Sequence, residues 1–394
     1  MKKRFTRADL RALVDHYSVD AKAEPEEEDE GPGVWDVADY KHEPWTPNDF
    51  KVFDTIDKLE ETLKREEPSH DDIYATYRQL PEPRVPYLTL PVIRDMLHIL
   101  SIVERPDLLS MQRYLSILDD MKHANIPITA SEYTSAIHYA GRSLGVVGPD
   151  DLQSALHLWR DMEKRANIKG SHVTFNVLFD IAVKAGKFTL AELFLKELTS
   201  RGLQFYRHFR VTLLYYHGVM KNGSGVRSVY QEMVTAGDIV DTVVMNAVIA
   251  ALFRAGEPSA AEHVFERMKR LDATGSLSAP SFRHGALTFS QGRTWRARRA
   301  LGLALTHHGN RLKAEDEEAH KALQAWASIA PNSHTYSLLI RHHAISTGNI
   351  DRVNELLREM GYNGVPLQGS IFVVIFQGFA TYGGEGWAGY HVDE

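Results

Sequence analysis

Two stretches of this 394-residue chain are near-copies, and their separation leaves few folds open. His172-Val-Thr-Phe-Asn176-Val-Leu178 is echoed by Thr242-Val-Val-Met-Asn246-Ala-Val248, 70 residues later. The same offset carries Lys184-Ala185-Gly186-Lys187 onto Arg254-Ala255-Gly256-Glu257, and Ala191–Leu198 onto Ala261–Met268. Between them, Arg207 to Asp241 ends in Val229-Tyr230-Gln231-Glu232-Met233 in the same register, so the period is 35. Met245, Val248, Ile249 and Leu252 fall at i, i+3, i+4 and i+7, which is a helical period rather than a strand period. Gly186 and Gly256 stand where a left-handed helix end needs no side chain. Leu190, Phe194 and Leu198 stripe a second helix. A helix pair of this size cannot bury both its faces, so copies must stack on one another into a solenoid.

Weaker copies extend the array. Ala130–Ile137 opens a unit whose second helix is Ala155–Met162, across a longer turn from Gly141 to Asp151. Upstream, Tyr114–Met121 and Ile73–Leu80 read as second helices. Downstream, Ser333–Ile340 leads to Val353–Met360, and Gln368–Tyr382 reads as a first helix without its mate, as a truncated gene model would leave it.

Composition narrows the chemistry. The chain has no cysteine, which excludes disulfides, thiol nucleophiles, iron–sulfur clusters and Cys-ligated zinc. Its longest strongly apolar run, Ile371–Phe376, falls far short of the roughly 20 residues a membrane-spanning helix needs. The net charge of −7 hides an uneven distribution. Residues 1–80 hold 21 acidic and 12 basic side chains, whereas 281–314 carries Arg283, Arg293, Arg296, Arg298, Arg299, Arg311 and Lys313 with no carboxylate. Lys2, Lys3, Arg4, Arg7 and Arg11 open the chain in the manner of a targeting segment, and Asp9 and Asp15 weaken that signal. The acidic stretch around Glu24–Gly33 cannot bury enough apolar surface to fold, so residues 18–48 read as a flexible linker.

The Val-Thr-Phe-Asn, Lys-Ala-Gly and Ala-Glu-Leu-Phe-Leu-Lys-Glu-Leu landmarks at a period of 35 resemble the pentatricopeptide repeat family, as found in fungal mitochondrial proteins. The resemblance covers roughly residues 73–382 and is clean over 172–270. It implies an all-α fold, a right-handed solenoid of helical hairpins, that holds single-stranded RNA in a groove at about one base per repeat. It places the base-reading side chains at the fifth and last residues of each repeat. Here the fifth positions are Thr134, Asn176, Val211, Asn246 and Ser337, and the last positions Ser171, Tyr206, Asp241, Ser276 and Leu367. Asn246 with Ser276 is the usable pair, and the resemblance suggests a pyrimidine there. The other pairs depart from the family pattern, which shifts the expected affinity toward shape, stacking and phosphate contacts.

Each of these signals has a plainer reading. The basic segment with Phe282, Phe289 and Trp295 suits phosphate neutralisation and stacking, or it is a solvated helix face answered by the acidic run Glu315–Glu318. Asn176 and Asn246 contact RNA, or they make local hydrogen bonds at helix starts. Phe175, Phe194, Tyr230 and Phe265 read as core. The His307-His308 and His342-His343 doublets lack metal-ligand spacing, and Gly223-Ser224-Gly225 is a helix-pair turn. The expectation is therefore a non-enzymatic factor without metal or cofactor.

Five regions follow: a basic helix and acidic linker (1–48), degenerate repeats (49–129), the best-matched repeats (130–276), a basic irregular unit with an acidic helix (277–332), and C-terminal repeats with a tail (333–394). The leading expectation is a monomeric mitochondrial RNA-binding factor, with Thr134, Ser171, Asn176, Asp241, Asn246, Ser276, Arg293, Arg296, Arg298, Arg299 and Ser337 at its RNA interface. It would act in ribosomal RNA 5′-end processing and small-subunit maturation, or in messenger RNA processing, stability or translation, beside mitoribosomal proteins. The alternative is a protein-binding scaffold, a mitoribosome-associated subunit or a respiratory-complex assembly factor.

Overall fold

Local sequence decides where the helices begin. Ser, Thr, Asp and Asn side chains accept hydrogen bonds from first-turn amides that have no partner within the helix. In the computed structural model, which describes residues 42–383 except 48, 66, 143–144, 279–294 and 328, this device recurs along the chain. Thr129, Ser171, Asp241 and Asn332 each cap a first helix through the side chain. Gly186 and Gly256 close the matching helices with φ of 69° and 84°, the left-handed geometry that a Cβ disfavours. The described residues contain seventeen helices and no strand, an all-α architecture of helical hairpins. The basic N-terminal segment, most of the acidic linker and the C-terminal tail lie outside the described residues.

The chain divides into two units. The first contains α1 (Phe50–Leu63), α2 (His70–Tyr77), α3 (Leu90–Ser101), α4 (Leu108–His123), α5 (Ala130–Ala140), α6 (Pro149–Arg160), α7 (His172–Lys184) and α8 (Phe188–Ser200). A π-helical turn, Asp161–Arg165, extends α6. Helices α5 and α7 stack as successive first helices, with α6 and α8 behind them. Phe175 and Phe194 are buried, and both rings lie edge-on to Trp159 of the preceding repeat at 6.1 and 5.6 Å. Ion pairs stitch neighbouring repeats together: Arg94 with Glu132, Lys122 with Asp161 at 2.7 Å, Arg142 with Asp180 at 2.6 Å and Arg201 with Glu163 at 2.7 Å. These pairs are partly buried, so they fix register more than they add stability.

The second unit contains α9 (Arg207–Val219), α10 (Gly223–Thr235), α11 (Thr242–Ala255), α12 (Pro258–Ser278), α13 (Trp295–Glu315), α14 (Glu317–Trp326), α15 (Ser333–Arg341), α16 (Ile350–Tyr362) and α17 (Gly369–Tyr382). A π-helical turn, His342–Thr347, continues α15. Chain order and stacking order part company here. The first helices stack as α9, α11, α15 and α17, so α15 follows α11 directly. Helix α12 packs onto the α15–α16 pair through Phe265 against Tyr336, Glu262 against His343 and Arg352, and Lys269 against Glu359. The α13–α14 hairpin is an insertion that stands outside this stack. It packs on the loop before α11, with Leu305 and Ala327 against Ile239 and with Leu301, Leu323 and Trp326 around them. Among the described residues, no helix is long and apolar enough to cross a membrane.

Candidate nucleic-acid interface

The start of each first helix repeats one arrangement. The N-cap residue precedes the helix, the third residue returns a hydrogen bond to the cap or turns inward, and in α5 and α11 the fifth residue faces the next first helix. Counted this way, the last positions Ser171, Tyr206 and Asp241 are N-caps of α7, α9 and α11. Leu367 lies one residue before Gln368, the N-cap of α17. Ser276 is placed differently: helix α12 runs through it to Ser278. The residue that caps the helix stacked on α11 is Asn332. An insertion between the repeats moves this position far down the chain from where a strict count of 35 puts it.

Two fifth-position side chains, Thr134 and Asn246, bond across the stack. Thr134 Oγ1 lies 2.8 Å from Thr174 Oγ1, the third residue of the next first helix, and donates to Ala130 O at 2.8 Å. The same relation recurs in the second unit, where Thr335 donates to Asn246 Oδ1 at 2.7 Å. Asn246 Nδ2 makes a longer contact of 3.4 Å to Asn332 Oδ1. Both threonines also serve their own caps, because Ser171 N donates to Thr174 Oγ1 at 3.1 Å and Asn332 N to Thr335 Oγ1 at 3.0 Å. Asn246 is only 5% exposed, and its bonds are long-range rather than local to the helix start. Asn176 and Ser337 occupy the equivalent place and are half-buried. Asp241 caps α11 by accepting from Val244 N at 3.0 Å, and its carboxylate lies 2.6 Å from the buried Arg207 guanidinium. That second contact is an ion pair rather than an aligned hydrogen bond, and Arg207 also donates from Nε to Ile239 O at 2.9 Å.

Thr174, Thr335 and Asn332 are parts of this arrangement that sequence reasoning did not single out. The signal was available, since threonine precedes the fifth position by two residues in both Val-Thr-Phe-Asn and His-Thr-Tyr-Ser. Two further residues stand out by exposure. Val173 and Val243, the second residues of α7 and α11, are 37% and 61% exposed. An apolar side chain held in water at the same place in two repeats is a platform on which a base can stack. In α9 and α15 this place is taken by His208 and His334, both exposed.

The basic segment is only partly within the described residues. Arg293 lies outside them. Arg296 packs over the Trp295 ring at 5.3 Å, a cation–π contact. Arg298 and Arg299 are exposed on the first turns of α13. In the acidic run between α13 and α14, Glu315 pairs with Arg311 at 3.6 Å and Glu317 with Lys321 at 2.8 Å. Phe175 and Phe265 are core, as their spacing indicated, and Tyr230 is half-buried. Among the described residues no three His, Asp or Glu side chains are grouped to hold a metal ion.

A stack of two-helix repeats with capped first helices defines a helical-repeat protein. The family model of the PPR repeat matches residues 173–203 and 243–272, the two copies that first revealed the period. Among solved structures it is similar to the pentatricopeptide repeat protein PPR10 in complex with an 18-nt psaJ RNA element, at 13% identity and a TM-score of 0.37, covering 86% of this chain and 54% of that one. It is also similar to PPR10 from maize, at 13% identity and a TM-score of 0.33, covering 84% and 54%. The chain thus spans about half the length of these proteins. No curated protein matches it.

Proposed function

We propose that this chain is a non-enzymatic RNA-binding factor that holds a single strand along the starts of its first helices. The observation that carries this reading is the recurrence, in PPR repeats, of an exposed apolar second residue with a polar fifth residue and a polar N-cap. Val173 with Asn176 and the cap Ser171, and Val243 with Asn246 and the cap Asp241, each offer a stacking surface beside polar groups. Single-strand recognition uses this combination, because every base has an apolar face and a polar edge. At the second of these steps Thr335 occupies Asn246 Oδ1 and Asn332 Oδ1 takes one N–H of Nδ2 at 3.4 Å, so the second N–H of Nδ2 is the donor for a base carbonyl. Arg298 and Arg299 add exposed positive charge for phosphates. PPR10, the RNA-bound protein to which the chain is similar, is in keeping with the reading.

On this reading the cellular site is the mitochondrion, and the task is ribosomal RNA 5′-end processing and small-subunit maturation, or messenger RNA processing, stability or translation. A groove-held strand is shielded from nucleases and kept unfolded for other machinery. The test is anisotropy of a labelled single-stranded RNA against salt. The full chain should bind with a steep salt dependence, and Arg298→Glu with Arg299→Glu should flatten the log–log slope by roughly 1–2. Crosslinking in the intact organelle should then recover one unpaired segment.

A second reading, a protein-binding scaffold such as a mitoribosome-associated subunit or respiratory-complex assembly factor, is favoured by α17. Phe372, Val373, Phe376 and Phe379 are all exposed on that helix, and an apolar patch of this kind suits a protein partner. Co-purifying proteins without recovered RNA would establish that reading and remove the first.

A further inference from the structure

The loop before α11 is closed in a way its counterparts are not. Residues 238–241 are all buried, whereas in the equivalent stretches 126–129, 168–171, 203–206, 329–332 and 365–368 at most two residues are. What closes it is the inserted α13–α14 hairpin. Val240 N donates to Gln324 Oε1 at 2.8 Å, and Gln324 Nε2 donates back to Val240 O at 2.8 Å. The His320 ring donates to Gly237 O at 2.8 Å. On the other helix of the hairpin, Thr306 lies 3.3 Å from His208, the second-position residue of α9. The hairpin therefore touches both the stacking position and the last-position loop of the repeat 207–241.

Two features make this contact a cover rather than another layer of core. Its polar half is a side-chain carboxamide matched to one backbone donor and one backbone acceptor, the same complement a nucleobase edge presents. Its apolar half, among the described residues, is a small cluster in which Ile239 meets Leu305 and Ala327. The repeat beneath it is also the one least equipped to read a base. Val211 at its fifth position has no polar group, and Asp241 is committed to Arg207 and Val244.

We infer that the α13–α14 hairpin is an internal cover, which occupies the strand-binding edge of the repeat 207–241 in the free chain and is displaced when a single-stranded nucleic acid engages. This rests on the RNA reading above. Displacement exchanges the Gln324–Val240 pair for contacts to the strand, and the guanidiniums of Arg298 and Arg299 on the same hairpin draw it toward phosphate.

The test is amide hydrogen exchange at Val240 in the full chain, with and without a labelled 20-nucleotide oligouridylate, combined with anisotropy of the same oligonucleotide. Val240 should be protected in the free chain and should exchange at least fivefold faster once the oligonucleotide is bound. His320→Ala with Gln324→Ala, which removes the acceptor for Val240 N and the donors to Val240 O and Gly237 O, should deprotect Val240 without RNA and tighten binding at least fivefold. Gln324→Ala should shift both readouts in the same direction by less. RNA binding that further protects Val240, or a deprotected variant that binds no more tightly, would overturn the cover. So would unchanged exchange in the double variant. If neither wild type nor variant binds the oligonucleotide, the RNA reading itself fails and takes the cover with it.

Discussion

The hydroxyl of Thr335 donates to Oδ1 of Asn246 at 2.7 Å across 89 residues of chain, and Thr174 meets Thr134 in the same relation at 2.8 Å. The third residue of one first helix thus orients the fifth residue of the helix before it. Thr335 is fully buried and also accepts from Asn332 N. Thr335→Val keeps the shape, removes the donor to Asn246 and strands the Asn332 amide. Each buried group left unpaired costs about 1–3 kcal/mol. Urea unfolding should show a loss of that order, and Thr335→Ser should restore most of it.

The approach of α9 to α11 depends on the absence of a side chain at Gly218. A Cβ there would lie 2.8 Å from Ala251 O and 2.9 Å from Ala251 Cα, backbone atoms that cannot rotate away. Alanine is the better helix former by about 1 kcal/mol, yet overpacking typically costs about 1–3 kcal/mol, so Gly218→Ala should destabilise. Gly302, in α13, has nothing within 4 Å of its Cβ position. Gly302→Ala should therefore stabilise the hairpin, read as higher protection of the α13 amides.

Glu262 joins three helices, accepting from His343 and from Arg352 at 2.8 Å each. Burial opposes its ionisation, but those hydrogen bonds outweigh it and hold the carboxyl at about 2, against 4.5 in the unfolded chain. A lowered carboxyl pKa stabilises the fold fully above pH 4.5 and loses that contribution as pH falls from 4.5 toward 2. Glu262→Gln should cost about 1–2 kcal/mol at pH 7, allowing for solvent screening. It should also shrink the acid-induced loss of stability in a pH series of urea titrations.

His308 is 8% exposed in α13 and its Nε2 has no hydrogen-bond partner. Burial, with His307 and Arg311 nearby, lowers it to about 4 from 6.5. The unfolded hairpin therefore takes up a proton before the folded one does. The stability of the neutral ring is complete above pH 6.5 and is lost as pH falls from 6.5 toward 4. Protection factors in α13, normalised for intrinsic exchange, should fall between pH 7 and 5. His308→Leu should flatten that dependence.

Most of the helical framework was legible in the chain before any coordinate. Helix starts and ends follow from short-range chemistry, such as the caps at Ser171 and Asp241 and the left-handed glycines 186 and 256. The 70-residue echo reveals the repeat because each copy must present the same face to its neighbours. Residues such as Asn246 were identifiable as a shared feature, although nothing local says that their partners are Thr335 and Asn332. Only the tertiary structure shows that α15, rather than α13, stacks on α11, which carries the capping position from Ser276 to Asn332. Stacking order is settled by long-range complementarity between Phe265 and Tyr336 and between Glu262, His343 and Arg352. A fixed count of residues cannot see it, because an inserted hairpin lengthens the chain without changing which surfaces fit.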